Sequence, residues 1–233
     1  MRAMILAAGR GERMRPLTDR LPKPLLEVGG FRLIEYHLAA LARQGITDIV
    51  VNLWWLGELI REALGDGRRH GVAIRYSDED GVIQGTGGGL FRALPLLGDE
   101  PFLVVNGDVW TDFPFAALRR PAGSLAHLVL VPNPEHHPGG DYGLGGSAQA
   151  TAASPRLTYA GVSVLEPKLF AGCVAGVFPL KPLLDQALAA GRLTAQRHDG
   201  AWCDVGTQER LATLDSRLRL GRARHPVLSS PVG

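Results

Sequence analysis

Along the first 131 residues, short apolar runs alternate with segments whose apolar side chains recur at three- and four-residue spacing. MRAMILAA reads as a buried strand, since every position after Arg2 is apolar or small. LIEYHLAALARQG carries a helical period and closes on Gly45, a residue suited to the left-handed conformation that ends helices. TDIVVNL gives a second strand, LGELIREALGDG a second helix stopped at Gly65, and VAIRYS a third strand. A glycine-rich stretch at 85–89 precedes the helical pattern LFRALPLL, and PFLVVNGD and AHLVLVPNP supply two more strands. This alternation predicts an α/β fold: a Rossmann-like, doubly wound, mostly parallel sheet with helices on both faces.

The pattern changes after residue 132. From Asn133 to Ser154 Gly, Pro, His and Ala dominate, which predicts loop and edge hairpin. LTYAGVSVL then reads as a strand, LKPLLDQALAAG as a helix capped by Gly191, and LTAQRH and AWCDV as short strands. TQERLATLDSRLRLG is a final helix with Thr207 as its N-cap. The expectation is one domain over 1–221 with a small β-hairpin insertion at about 133–165, followed by a flexible, fraying tail at 222–233. No hexapeptide array of the kind that builds a β-helix is present.

An apolar content of 45% over 233 residues is enough for one substantial core. With 25 basic against 23 acidic residues, the net charge of +2 is too small to attract nucleic acid through the overall field. Cys173 and Cys203 are the only cysteines, which argues against a disulfide framework and for a reducing compartment. The apolar run Ala3–Ala8 is broken by Gly9 and Arg10, too early for a signal-peptide core or a membrane span. A cytoplasmic protein without membrane or nucleic-acid partners is expected.

Charge is concentrated instead in LAAGRGERMRPLTDRLPKPLL, where four arginines and one lysine follow the first strand. Such a cluster repels itself unless an anion sits within it, and a polyphosphate fits. The glycines begin like a dinucleotide fingerprint, but Met14 stands in place of the third glycine and no GK[ST] follows. A Rossmann oxidoreductase and a P-loop enzyme are both disfavoured. What remains is a strand-to-loop turn at the carboxyl edge of the sheet, where Gly9 and Gly11 let backbone N–H groups approach an anion. Arg15 and Lys23 would add charge around it. Lys23 is one of only three lysines and lies between Pro22 and Pro24, so its compact ammonium is held on a stiff backbone. Asp108 closes the run FLVVNGD and Asp204 closes AWCD; two oxygen ligands from distant elements suit Mg²⁺, with phosphate and water completing the shell. His136 and His137 are adjacent, so their side chains diverge, and they read as loop histidines rather than a metal pair.

The order of these residues carries more than their composition. LAAGRGERMRPLTDRLPKPLL, GTGGGL at 85–90, VVNGD at 104–108, NPEHHPGGDYGL at 133–144, TYAGVSVL at 158–165 and WCDVGT at 202–207 resemble the landmarks of the sugar-1-phosphate nucleotidylyltransferases, in the same order. The resemblance covers nearly the whole chain. It implies a Mg²⁺-dependent enzyme whose partners are UTP and a sugar 1-phosphate, with Arg15 and Lys23 catalytic and Asp108 and Asp204 on the metal. It further implies that Leu6, Ala8, Gly9, Gly11, Gln84, Gly85 and Thr86 line the nucleotide site. Lys23, Asn106, Gly143, Tyr159 and Gly161 would face the sugar phosphate, with the insertion on the sugar side. Related enzymes using dTTP, CTP or GTP, and a non-catalytic nucleotide-sensing relative, are the alternatives.

Overall fold

The computed structural model describes residues 1–79 and 81–228. Its strands are β1 (Ala3–Leu6), β2 (Glu27–Val28), β3 (Phe31–Arg32), β4 (Asp48–Leu53), β5 (Ala73–Asp78), β6 (Phe102–Asn106), β7 (Val109–Thr111) and β8 (Ala126–Val131). They continue as β9 (Tyr142–Leu144), β10 (Ala150–Thr151), β11 (Arg156–Leu165), β12 (Leu193–Arg197) and β13 (Trp202–Asp204). The helices are α1 (Leu33–Arg43), α2 (Gly57–Leu64), α3 (Gly85–Leu97), α4 (Lys181–Ala189) and α5 (Gln208–Arg219). Among the described residues no helix is long and apolar enough to cross a membrane.

The large sheet runs β10-β9-β11-β6-β1-β4-β5, with β8 and then β12 added beside β11. β1 lies parallel to both β4 and β6, β4 is parallel to β5, and β11 is antiparallel to β6. The alternation of side chains along β1 divides the core. Ala3 and Ile5 pack with Ile34 and Leu38 of α1 and Ile60 of α2, whereas Met4 packs with Leu90 and Ala93 of α3 and Leu184 of α4. Helices therefore cover both faces, and the predicted doubly wound, mostly parallel fold is the one observed.

Two expectations about local structure are corrected. The helix expected to start at Leu90 begins at Gly85, inside the glycines. The N–H groups of Gly87 and Gly88 donate to Phe178 O, and a Cβ at Gly88 would stand 2.3 Å from Gly176 O. Close packing on 176–178 thus overrides the low helix propensity of glycine. The segment 133–165 is not a detached insertion, because Val162–Leu165 of β11 pair with β6 in the middle of the sheet.

Within the segment expected as a tail, residues 222–228 pack back on the core. Ala223 and His225 are buried, and the His225 ring meets Tyr36 edge-on at 4.9 Å between centroids. Residues 229–233 lie outside the described residues. Burial lowers His225 and His37 from 6.5 to about 4, so both imidazoles are neutral when folded. The unfolded chain takes up these protons near pH 6.5. Stability is therefore complete above that pH and is lost as the pH falls from 6.5 towards 4, by about 3 kcal/mol for each ring at about 1.4 kcal/mol per unit. Urea unfolding at pH 7.5 and 5.3 should show a lower midpoint at 5.3 with unchanged slope; equal midpoints would refute this.

Candidate active site

The carboxyl ends of β1, β4 and β6 open onto a cavity of about 600 Å³ whose wall includes Leu6, Ala7, Ala8, Gly9, Gly11, Arg13 and Lys23. Beyond β1 the chain turns at Gly11, which has φ +67° and whose carbonyl accepts from Thr18 Oγ1 at 2.8 Å. A Cβ at Gly11 would stand 2.9 Å from Thr18 Cγ2, so the turn needs glycine on two counts. Trp55 braces the same loop: its indole N–H donates to Thr18 O at 2.8 Å and its ring lies under the Arg10 guanidinium at 4.7 Å.

The next residues form a short 3₁₀ turn over Glu12–Met14, and this turn decides which arginine faces the ligand space. Arg13 lines the cavity. Arg15, expected there from the sequence, is not brought to it: its side chain is exposed and paired with Asp19 at 2.7 Å, and its carbonyl accepts from Gln208 Nε2. Lys23 is 8% exposed, and its ammonium donates to Asp108 Oδ2 at 2.6 Å.

The cavity wall also includes Gly85 and Thr86 at the start of α3, with Ile83 beside them. Gln84 is not on the cavity wall; its side-chain amide donates to Val82 O. Two residues absent from the sequence reading stand behind this edge. Ala7 N–H donates to Asn52 Oδ1, Asn52 Nδ2 donates to Glu79 Oε1, and Gln84 N–H donates to Glu79 Oε2, at 2.6–2.7 Å throughout. Both side chains are buried and on the cavity wall, and they tie the loop after β1 to the start of α3. The signal available was an asparagine ending the otherwise apolar run DIVVNL.

A second hollow of about 360 Å³ shares Arg13, Asn106 and Asp108 with the first, and adds His136, His137, Thr158, Tyr159, Ala160, Gly161, Trp202 and Asp204. Gly161 has φ +72°, and a Cβ there would lie 2.7 Å from Asn106 Nδ2, so glycine leaves room for that amide. The Tyr159 phenol is half-buried and bonded to Ser163; desolvation pushes it up to about 12, so it acts as a neutral group. Gly143 lines neither hollow; it sits in the β9–β10 pair, where a Cβ would meet Ala153 O at 2.3 Å. Trp110 is core rather than wall, packed with Tyr36 and Val205.

Asp108 and Asp204 are brought together by pairing of β7 with β13, in which Asp204 faces Val109 and Val205 N–H donates to Asp108 O at 2.8 Å. Each carboxylate carries a protein cation: Lys23 on Asp108, and Arg210 on both oxygens of Asp204 at 2.7 and 2.8 Å. Two hard oxygen donors on one wall suit a divalent cation such as Mg²⁺. Burial and neighbouring Asp204 push the Cys203 thiol up to about 11, so it is protonated at neutral pH. The site supplies cations and backbone donors around two adjoining hollows, the equipment for joining two phosphorylated ligands.

Comparison with known proteins identifies relatives over nearly the whole chain. A Neisseria meningitidis serogroup B protein described as N-acetylmuramate alpha-1-phosphate uridylyltransferase is 50% identical over 223 residues, covering 91% of this chain and 95% of the relative. A Caulobacter vibrioides protein of the same description is 34% identical, covering 93% and 96%. Among solved structures, a Bacillus anthracis protein assigned as a glucose-1-phosphate thymidylyltransferase, in complex with a sucrose, shares the fold with a TM-score of 0.81 at 21% identity, covering 93% of this chain and 94% of that one. Residues 2–150 match the nucleotidyl transferase description. With well over half the chain matched and a relative half identical across nearly its full length, this protein belongs to the nucleotidyl transferase family.

Proposed function

We propose that the protein transfers UMP from UTP to N-acetylmuramate α-1-phosphate, releasing pyrophosphate, in a Mg²⁺-dependent reaction that serves peptidoglycan recycling. The observation that carries this reading is the junction of two hollows at the Lys23–Asp108 pair, with Arg13 and Asn106 common to both walls. The name of the half-identical relative supplies the base and the sugar.

In this reading the backbone of Gly9 and Gly11, with Arg13, holds the triphosphate. Gly85 and Thr86 flank the base, while Tyr159 and Gly161 lie beneath the sugar. Lys23 exchanges Asp108 for the phosphates where the substrates meet. The attacking oxygen of the sugar phosphate is already anionic, so no general base is required. It forms a bond to the α-phosphorus as the bond to the pyrophosphate oxygen breaks, and pyrophosphate leaves with that electron pair. The barrier lies in alignment and repulsion between anions, which placed cations lower. Asp108 and Asp204 would hold Mg²⁺, which screens charge between the two phosphate groups.

The test is pyrophosphate release with Mg²⁺ across UTP, dTTP, CTP and GTP, each against N-acetylmuramate-, N-acetylglucosamine-, glucose- and mannose-1-phosphates. The expected result is the highest kcat/KM for UTP with the muramate sugar. A higher value for another pair would refute the assignment of substrates while leaving the reaction class intact.

A further inference from the structure

N-acetylmuramate differs from N-acetylglucosamine by a lactyl ether, which places a carboxylate on the ring. That anion must enter a hollow whose wall already carries Asp108 and Asp204. Without donors, a carboxylate brought among carboxylates is disfavoured both by repulsion and by lost hydration. The basic side chains on this wall are Arg13, His136 and His137, and Arg13 also belongs to the first cavity. Arg156 and Arg197 lie outside it, engaged with Ala152 O and with Asp199.

The histidines sit on a turn that is built rather than loose. Asn133 Nδ2 donates to Pro138 O and Arg156 O at 2.9 and 3.0 Å, while Asn133 Oδ1 accepts from Thr158 Oγ1 at 2.9 Å. Gly140, with φ +59°, brings the chain so close that a Cβ there would stand 2.8 Å from Asn133 Oδ1. Asp141 closes the turn by accepting from Tyr159 N–H at 2.8 Å.

Each imidazole is also oriented by one nitrogen. His136 Nε2 lies 2.6 Å from Arg210 Nη1 and 3.1 Å from Asp204 Oδ1, so this edge of the ring is held at the Asp204–Arg210 pair. His137 Nε2 lies 3.3 Å from Asp141 Oδ1. The turn therefore presents ring edges at a fixed position before any ligand arrives, which reduces the ordering cost of binding.

We infer that His136 and His137 recognise the acidic substituent of the acceptor sugar and set preference for it over the unsubstituted hexosamine phosphate. This rests on the acceptor proposed above. The experiment compares wild type with the His136→Ala/His137→Ala double variant. It measures the ratio of kcat/KM for N-acetylmuramate 1-phosphate to that for N-acetylglucosamine 1-phosphate, and the same ratio of Kd by calorimetry. Wild type should favour the muramate sugar, and the double variant should lose that preference by about tenfold to a hundredfold, the range for hydrogen bonds to a charged group. An unchanged ratio would overturn the inference whether or not both rates fall, since a purely structural role lowers both together. Absence of preference in wild type is a different result: it removes the proposed acceptor, and the inference with it.

Discussion

Arg13→Ala is expected to lower kcat/KM by roughly 100- to 1,000-fold, the cost of removing one placed donor from a site of developing charge. Arg15→Ala should leave it within about threefold of wild type. Both arginines are exposed and separated by one residue, yet only Arg13 lines the hollows. Arg13 belongs to the walls of both hollows and lies beside Gly206, where a Cβ would stand 3.2 Å from its Nη2. Arg15 is paired with Asp19 on the exposed face of the turn, an interaction worth at most about 1 kcal/mol, and the contact it makes to α5 runs through its carbonyl. Truncation at 15 therefore removes no group from the ligand space and keeps the tie to Gln208. Steady-state kinetics on both variants decides the matter; a large loss at Arg15 with little at Arg13 would require the turn to rearrange when substrate binds.

That contrast marks how far the sequence could be read. The stretch GRGERMR offers arginines at 13 and 15, and charge alone cannot choose between them, because the choice is made by the 3₁₀ turn over Glu12–Met14. Local signals were sufficient for β1, α1, β4 and β6, whose periodicity is imposed by a core on one or both faces. They were sufficient too for the Thr207 cap, whose side chain accepts from Arg210 N–H. They failed where distant segments decide: α3 starts among glycines only because 176–178 packs against them, and β11 reaches the centre of the sheet only because β6 offers it an edge. The same holds within the site. Nothing near His136 in sequence indicates Arg210, 74 residues away, and Trp202 joins the wall of the second hollow through its strand's pairing with β7. Pairing of Asp108 with Asp204 was legible as chemistry, from residue type and position after strands, though not as geometry.

Asp108→Asn is expected to reduce kcat by about three orders of magnitude or more while the fold persists. The substitution keeps the shape of the side chain and removes its charge, so it separates electrostatics from packing. Asp108 is partly exposed, its backbone carbonyl still accepts from Val205 N–H, and strand pairing between β7 and β13 does not depend on its side chain. What changes is the partner of Lys23. With a side chain only 10% exposed, that ammonium would keep a carbonyl oxygen in place of a carboxylate and lose its charge compensation, a loss of stability of about 3 kcal/mol. The kinetic loss is larger for a separate reason: one of two negative ligands on the wall becomes neutral, weakening the hold on a divalent cation while Asp204 remains tied to Arg210. Raising Mg²⁺ should then recover part of the activity, and a thermal melt should show the variant still folded, with a Tm lower by about ten degrees. If the variant retained Mg²⁺-dependent turnover within tenfold of wild type, Asp108 would have no place on the metal, and its bond to Lys23 would be a structural clamp instead.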